Sequence, residues 1–255
     1  MGTVSCKYQS IPESLINHPL KSWQVFTAHN AFLKDIQNLA IASADNIKKS
    51  IQIGARYILI DVYEVNGKFV VAHGNGTSIT TTPANLNDCL DAIAKNAFIN
   101  TTDPLLLNVE VNVPSDRRDA LSDQIKTFFG SKLLLPTDLS QSVWTTPISS
   151  LLNKIVIISS SKLNIDANTG WPDNSYTASS NTIDEIWPVN TENKWVGMYQ
   201  SDSFSSGLGF NLNPTKYLNA GIQSIAMNVQ VNDNNMKTYK TWFNCYGFVL
   251  QPARR

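Results

Sequence analysis

Two histidines, two carboxylates and an asparagine stand at the ends of short apolar runs: His29-Asn30 after residues 23–26, Asp61 after 57–60, His73-Gly74 after 69–72, and Glu110 after 105–109. Imidazoles take up and release protons near neutral pH, while carboxylate and carboxamide oxygens suit a hard divalent cation. Together the five residues have the composition of a site that binds a cation and moves protons around a phosphate. Singly, each has a plainer reading, because a histidine or aspartate after a strand is usually a turn residue or a cap. Their joint occurrence favours a site: of three histidines, His18, His29 and His73, two close strands expected to be neighbours.

The elements that must position them alternate. Further strand-like runs lie at 155–158, 195–198, 222–227 and 247–250, and helix-like stretches at 43–53, 86–96, 116–129, 149–154 and 236–243. Such alternation is the signature of parallel βα units. With 69–72 counted as a hairpin return, about seven barrel strands are visible, and an eighth is sought in the polar stretch 201–213. At 255 residues the chain has the size of one (β/α)8 barrel, about 250 residues. The expectation is therefore an α/β fold, a single TIM-type barrel over 1–255, with the polar strand ends on one rim. The segment 164–182, rich in Asn, Ser, Asp and Gly, is expected to be a connecting loop on that rim, either an ordinary surface loop or a lid bearing Trp171 and Tyr176.

Bulk properties narrow the classes. Twenty basic and 20 acidic residues balance, with no Lys/Arg stripe interleaved with aromatics, so a nucleic-acid partner is not expected. No apolar stretch approaches the roughly 20 residues of a membrane span, and the start lacks the apolar region of a signal peptide. A soluble intracellular protein is expected. Cys6, Cys89 and Cys245 are odd in number and lack metal-type spacing, so free thiols are expected. The glycosylation sequons at Asn75 and Asn100 read as accidental, the first because a glycan there would block His73.

At these residues the chain resembles the eukaryotic-type phosphoinositide-specific phospholipase C family. Ala28-His29-Asn30-Ala31-Phe32 resembles that family's S-H-N-T-Y, residues 54–61 resemble G-C-R-C-V-E-L-D, and Val71-Ala72-His73-Gly74 resembles V-x-H-G. Asn108-Val109-Glu110 falls on S-I-E, and Phe129-Gly130 on F-G. These blocks cover an X-like half over about 20–163. A Y-like half over about 183–255 carries Asn211-Leu212-Asn213-Pro214, residues 217–230 against W-N-x-G-C-Q-x-V-A-L-N-F-Q, and Gly247-Phe248-Val249-Leu250. The blocks follow the family's order.

The resemblance implies a distorted TIM-type barrel and calcium-assisted cleavage of a phosphoinositide to diacylglycerol and an inositol phosphate through a cyclic intermediate. It implies Asn30, Asp61 and Glu110 as calcium ligands, His29 as stabiliser of the phosphorane, His73 as general acid, and Asp61 or Glu110 as general base. Leu59 stands where the family has a glutamate, which removes one ligand and a candidate base; Glu64 is an alternative base. The family's ring-phosphate lysines are placed on Ser159 and Ser161, with Lys162 nearby, and its inositol-stacking tyrosine on Tyr199; Arg56 is a further candidate cation for the phosphate. Loss of the lysines points to unphosphorylated phosphatidylinositol. A monomer acting peripherally at cytoplasmic membrane surfaces is expected. The competing readings are a glycerophosphodiester phosphodiesterase, whose motif also resembles 54–61 with 70–73, and a catalytically weak inositol-lipid-binding module, suggested by Leu59.

Overall fold

In the computed structural model of the chain, the structure describes residues 8–34, 40–74, 78–159, 163–167, 173–178, 195–200 and 210–252. Parallel strands β3 (Tyr57–Val65), β6 (Leu105–Asn112) and β8 (Ile155–Ser159) pair side by side, and the two-residue strands β5 (Ala84–Asn85) and β7 (Leu133–Leu134) lie at the two edges of this sheet. A second parallel set comprises β9 (Asp173–Ala178), β10 (Trp195–Gln200) and β11 (Ser224–Ile225). One broken strand joins the two sets. Its first part, β1 (Trp23–Val25), pairs with β11, and its second, β2 (Thr27–Ala28), pairs with β3, while Ala28 also bridges Met227. The sheet thus curves round on itself through residues 23–28, and no ladder closes β8 against β9 among the described residues.

Alternation along the strands sorts their side chains into two cores. Ile58, Ile60 and Val62 of β3, Leu107 and Val109 of β6, and Ile155 and Ile157 of β8 pack on the helix side. Tyr57, Leu59, Leu106, Val156, Ile158 and Trp195 fill the interior instead. The helices on the outer face are α1 (Ala44–Gln52), α2 (Leu86–Asn96), α3 (Arg118–Phe129), the short α4 (Thr215–Asn219) and α5 (Asn234–Phe243). Ser43, Asn85 and Asp233 cap α1, α2 and α5 by accepting backbone N–H bonds in the first turn.

Four features differ from the sequence reading. Segment 164–182 contributes the parallel strand β9, not only a loop. The run at 247–250 forms β12 (Phe248–Leu250), which pairs antiparallel with β1 and is therefore not a parallel barrel strand. The helix expected over 149–154 is a single 3-10 turn, Ile148–Ser150. Cys245 is disulfide-bonded, against the expectation of free thiols, while Cys89 is free and its burial pushes the thiol pKa up to about 12. Of the stretch 201–213 in which a strand was sought, residues 210–213 form none, and residues 201–209, like the lid residue Trp171, lie outside the described residues.

Candidate active site

The register of β3 and β6 sets Asp61 directly beside Glu110. Both continue the inward rows begun by Tyr57, Leu59 and Leu106, one step beyond the apolar interior, at the C-terminal mouth. A hairpin brings the second histidine there. Asn66 and Gly67 both have positive φ, 51° and 75°, the two-residue turn whose twist matches antiparallel strands. That turn aligns Val62 with Val71 on β4 (Lys68–Val71), and the Ala72 N–H donates to the Asp61 carbonyl. His73 then lies with Nδ1 3.5 Å from Asp61 Oδ2 and 3.5 Å from Asn30 Nδ2. These are approaches at the outer limit of hydrogen bonding. Gly74 is needed in this loop, because a Cβ would collide with the Ser78 carbonyl oxygen.

His29 and Asn30 follow β2 directly. The His29 N–H donates to the Met227 carbonyl, and Asn30 turns the chain at φ 44°, a left-handed conformation that asparagine tolerates better than most residues. Asn30 and Asp61 are both buried, at 2% and 7% exposure, whereas Glu110 is exposed at the mouth. The His29 ring contacts the Asn228 side-chain oxygen through Nδ1 at 3.2 Å. An amide oxygen only accepts, so Nδ1 carries the proton and the tautomer is set by this contact. Tyr199 meets the His29 ring edge-on, centroids 6.2 Å apart.

The structure brings His29, Asn30, Asp61, His73, Glu110 and Tyr199 to one rim, but not the other candidates. Arg56 precedes β3 at the opposite end, fully buried, with both terminal nitrogens donating to the Ala97 carbonyl and its guanidinium over the Tyr8 ring. Near it, Asp103 accepts from the Tyr8 hydroxyl at 2.6 Å. Arg56 is a packing residue. Ser159 follows the helix-facing row of Ile155 and Ile157, so the inward place on β8 belongs to Ile158. Ser161 and Lys162 lie outside the described residues. Glu64 pairs with Arg117 at 2.8 Å, on the helix-facing parity of β3, and does not reach the cluster. Leu59 packs in the apolar interior one layer beneath Asp61. With it in place, no group of three His, Cys, Asp or Glu suited to a metal occurs among the described residues. The oxygen set of Asn30, Asp61 and Glu110 still fits a hard cation, since each donor is a carboxylate or carboxamide.

Asn228 is the residue that sequence reasoning missed. Its backbone N–H donates to Asn211 Oδ1 at 2.7 Å, the Asn211 amide donates back to its carbonyl, and the Asn211 N–H donates to Asp233. This network fixes the residue that orients His29. Asn228 follows the apolar run 222–227 just as Asp61 follows 57–60, a signal present in the sequence.

Residues 16–161 match the model of the phosphatidylinositol-specific phospholipase C X domain, and residues 205–254 that of the Y domain. Among curated proteins, human 1-phosphatidylinositol 4,5-bisphosphate phosphodiesterase gamma-2 is 28% identical over 153 residues, 59% of this chain and 12% of that protein. The chain therefore spans a small part of that relative's length. Among solved structures, PLC21 of S. officinalis superposes with a TM-score of 0.80 at 18% identity, covering 93% of this chain and 37% of the other. A calcium-dependent phosphoinositol-specific phospholipase C from a Pseudomonas species superposes at 0.60 with 13% identity, covering 94% of this chain and 97% of the other. The neighbours are TIM-barrel enzymes, which establishes the barrel class for this fold. The X-domain and Y-domain matches follow one another along the sequence, and the chain belongs to the phosphatidylinositol-specific phospholipase C family.

Proposed function

We propose that this chain cleaves phosphatidylinositol at a membrane surface, releasing diacylglycerol and a cyclic inositol phosphate. The observation that carries this reading is the convergence of His73 and Asp61, with His29 oriented by Asn228, beside Glu110 on one rim. The inositol 2-hydroxyl attacks phosphorus, forming one P–O bond while the bond to the glycerol oxygen breaks. Asp61 or Glu110 accepts the hydroxyl proton, and His73 delivers a proton to the departing glycerol oxygen. His29, protonated at both ring nitrogens with Nδ1 held by Asn228, donates from Nε2 to the phosphate oxygens as their charge grows. Asn30, Asp61 and Glu110 would hold calcium, which supplies positive charge at the phosphate when bound.

Substrate choice follows from the inward residues. On β8 this place is Ile158 and on β10 it is Gly197, two steps before Tyr199, and neither carries charge to grip ring phosphates. Each missing charge-assisted contact forgoes roughly 1.5–3 kcal/mol. Unphosphorylated phosphatidylinositol is therefore preferred over its 4,5-bisphosphate. No helix among the described residues is long and apolar enough to cross a membrane. The disulfide at Cys245 favours an oxidising compartment over the cytoplasm.

Turnover of both lipids in mixed vesicles, with chelator and with calcium restored, tests this reading. Chelation is expected to abolish turnover and calcium to recover it, with phosphatidylinositol cleaved at least as fast as the bisphosphate. Full activity in excess chelator would remove the cation from the mechanism, and a strong bisphosphate preference would overturn the substrate assignment.

A further inference from the structure

Outside the proposed catalytic cluster, α1, α5 and two loops line an open cleft of about 260 Å³ whose polar lining is Lys34, Asn46, Lys49, Ser50, Gln230 and Lys240. The loops are the continuations of those that carry the site: Lys34 follows His29-Asn30, and Gln230 follows Asn228. The cleft has its own chemistry. Among the described residues no carboxylate lines it. Lys49 is engaged with Asp45 at 2.7 Å, but Lys34 and Lys240 have no ion-pair partner among the described residues. Asn46 and Ser50 are used within the fold, Asn46 donating to the Phe32 carbonyl and Ser50 to that of Asn46.

Gln230 is different. Its amide nitrogen and oxygen are both buried and have no hydrogen-bond partner among the described residues. Buried polar atoms are rarely left so, and each such case calls for a partner. Lys240 is half-buried, and that burial holds its amine below the usual lysine range, so a nearby anion would stabilise its charged form. Two amines without an ion-pair partner among the described residues, together with an amide N–H, call for an anion with several acceptor oxygens. The orphaned amide oxygen calls in addition for a donor, which a hydroxyl on the same ligand provides.

We propose that this cleft is a second anion site that binds a polyol phosphate, either as a phospholipid head group or as the free ester. The volume admits a phosphate with a small polyol and leaves acyl chains outside. The site stands independently of the proposed lipid cleavage, because it shares no side chain with the catalytic cluster.

Two binding measurements on the full chain test it: calorimetric titration with glycerol 3-phosphate, and co-sedimentation with phosphatidylcholine vesicles with and without phosphatidylglycerol. The variants are Lys240→Met, which keeps the packed stem, and Lys34→Ala, an exposed loop position that tests the site even if the first folds poorly. Each is expected to weaken binding roughly tenfold or more, as loss of one charge-assisted hydrogen bond does. Binding of the free ester, weakened in the variants, assigns a soluble phosphate. Sedimentation with phosphatidylglycerol vesicles alone, weakened in the variants, assigns a head group. Binding of neither probe, or undiminished binding by the folded variants, overturns the proposal.

Discussion

At the residue scale, the proposed reaction divides the cluster into groups that touch the substrate and Asn228, which holds His29 in place. His29→Ala and His73→Ala are each expected to lower turnover on phosphatidylinositol by roughly 10²–10⁴, the range for losing a proton-transfer group, with the melting temperature unchanged. Near-normal activity in either variant would reassign its role. Asn228 acts through His29, so Asn228→Ala is expected to cost roughly 10–100-fold in kcat while KM stays close to the parent value and the pH–rate profile moves. A change in KM alone would make Asn228 a substrate contact. Most of these residues were legible because a polar group ending an apolar run is conspicuous. Ser159 was misplaced by one step along a period-two strand, which exchanges the inside for the outside. Arg56 was misplaced because sequence does not say at which end of a strand a neighbouring charge lies, and its carbonyl partner Ala97 is 41 residues away.

At the element scale, the β3–β4 hairpin turns sequence neighbours into chemical partners, since its two-residue turn sets which residue meets Asp61. Apolar runs revealed β3, β6 and β8, and the capped helices α1 and α2 fell close to the expected bounds. Strand β9 was not legible. Its sequence, Asp-Asn-Ser-Tyr-Thr-Ala, lacks an alternating apolar row, and its extended form is fixed by pairing with β10 over six positions. Leu59 occupies the inward position of β3 one layer beneath Asp61, next to the proposed calcium ligands. It is 6% exposed beside interior apolar residues, so Leu59→Glu buries an unpaired carboxylate at a cost of about 3–5 kcal/mol. Thermal melts are expected to show a less stable variant without calcium and a larger calcium-induced gain in Tm than in the parent. An equal calcium response in both proteins would place the cation away from β3.

At the scale of the whole molecule, the broken strand 23–28 and its partners tie the X half to the Y half: β1 meets β11 and β12, while β2 meets β3. The geometry of the proposed site depends on this junction, because His29 comes from the X-matching part and Asn228 from the Y-matching part. The disulfide at Cys245 adds a covalent constraint that the odd cysteine count concealed. Alkylation under denaturing conditions is expected to label two more thiols after reduction than before it, while buried Cys89 stays unreactive in the native protein. An unchanged label count would show that no disulfide forms.

Cleavage of the phosphodiester at the rim cluster by attack of the inositol 2-hydroxyl fixes the identity of the phosphorus-containing product. Phosphorus NMR of phosphatidylinositol vesicles incubated with the calcium-supplied protein is expected to show a five-membered cyclic inositol phosphate, with diacylglycerol in the organic phase. Release of glycerol 3-phosphate, or no product from folded protein, would contradict it.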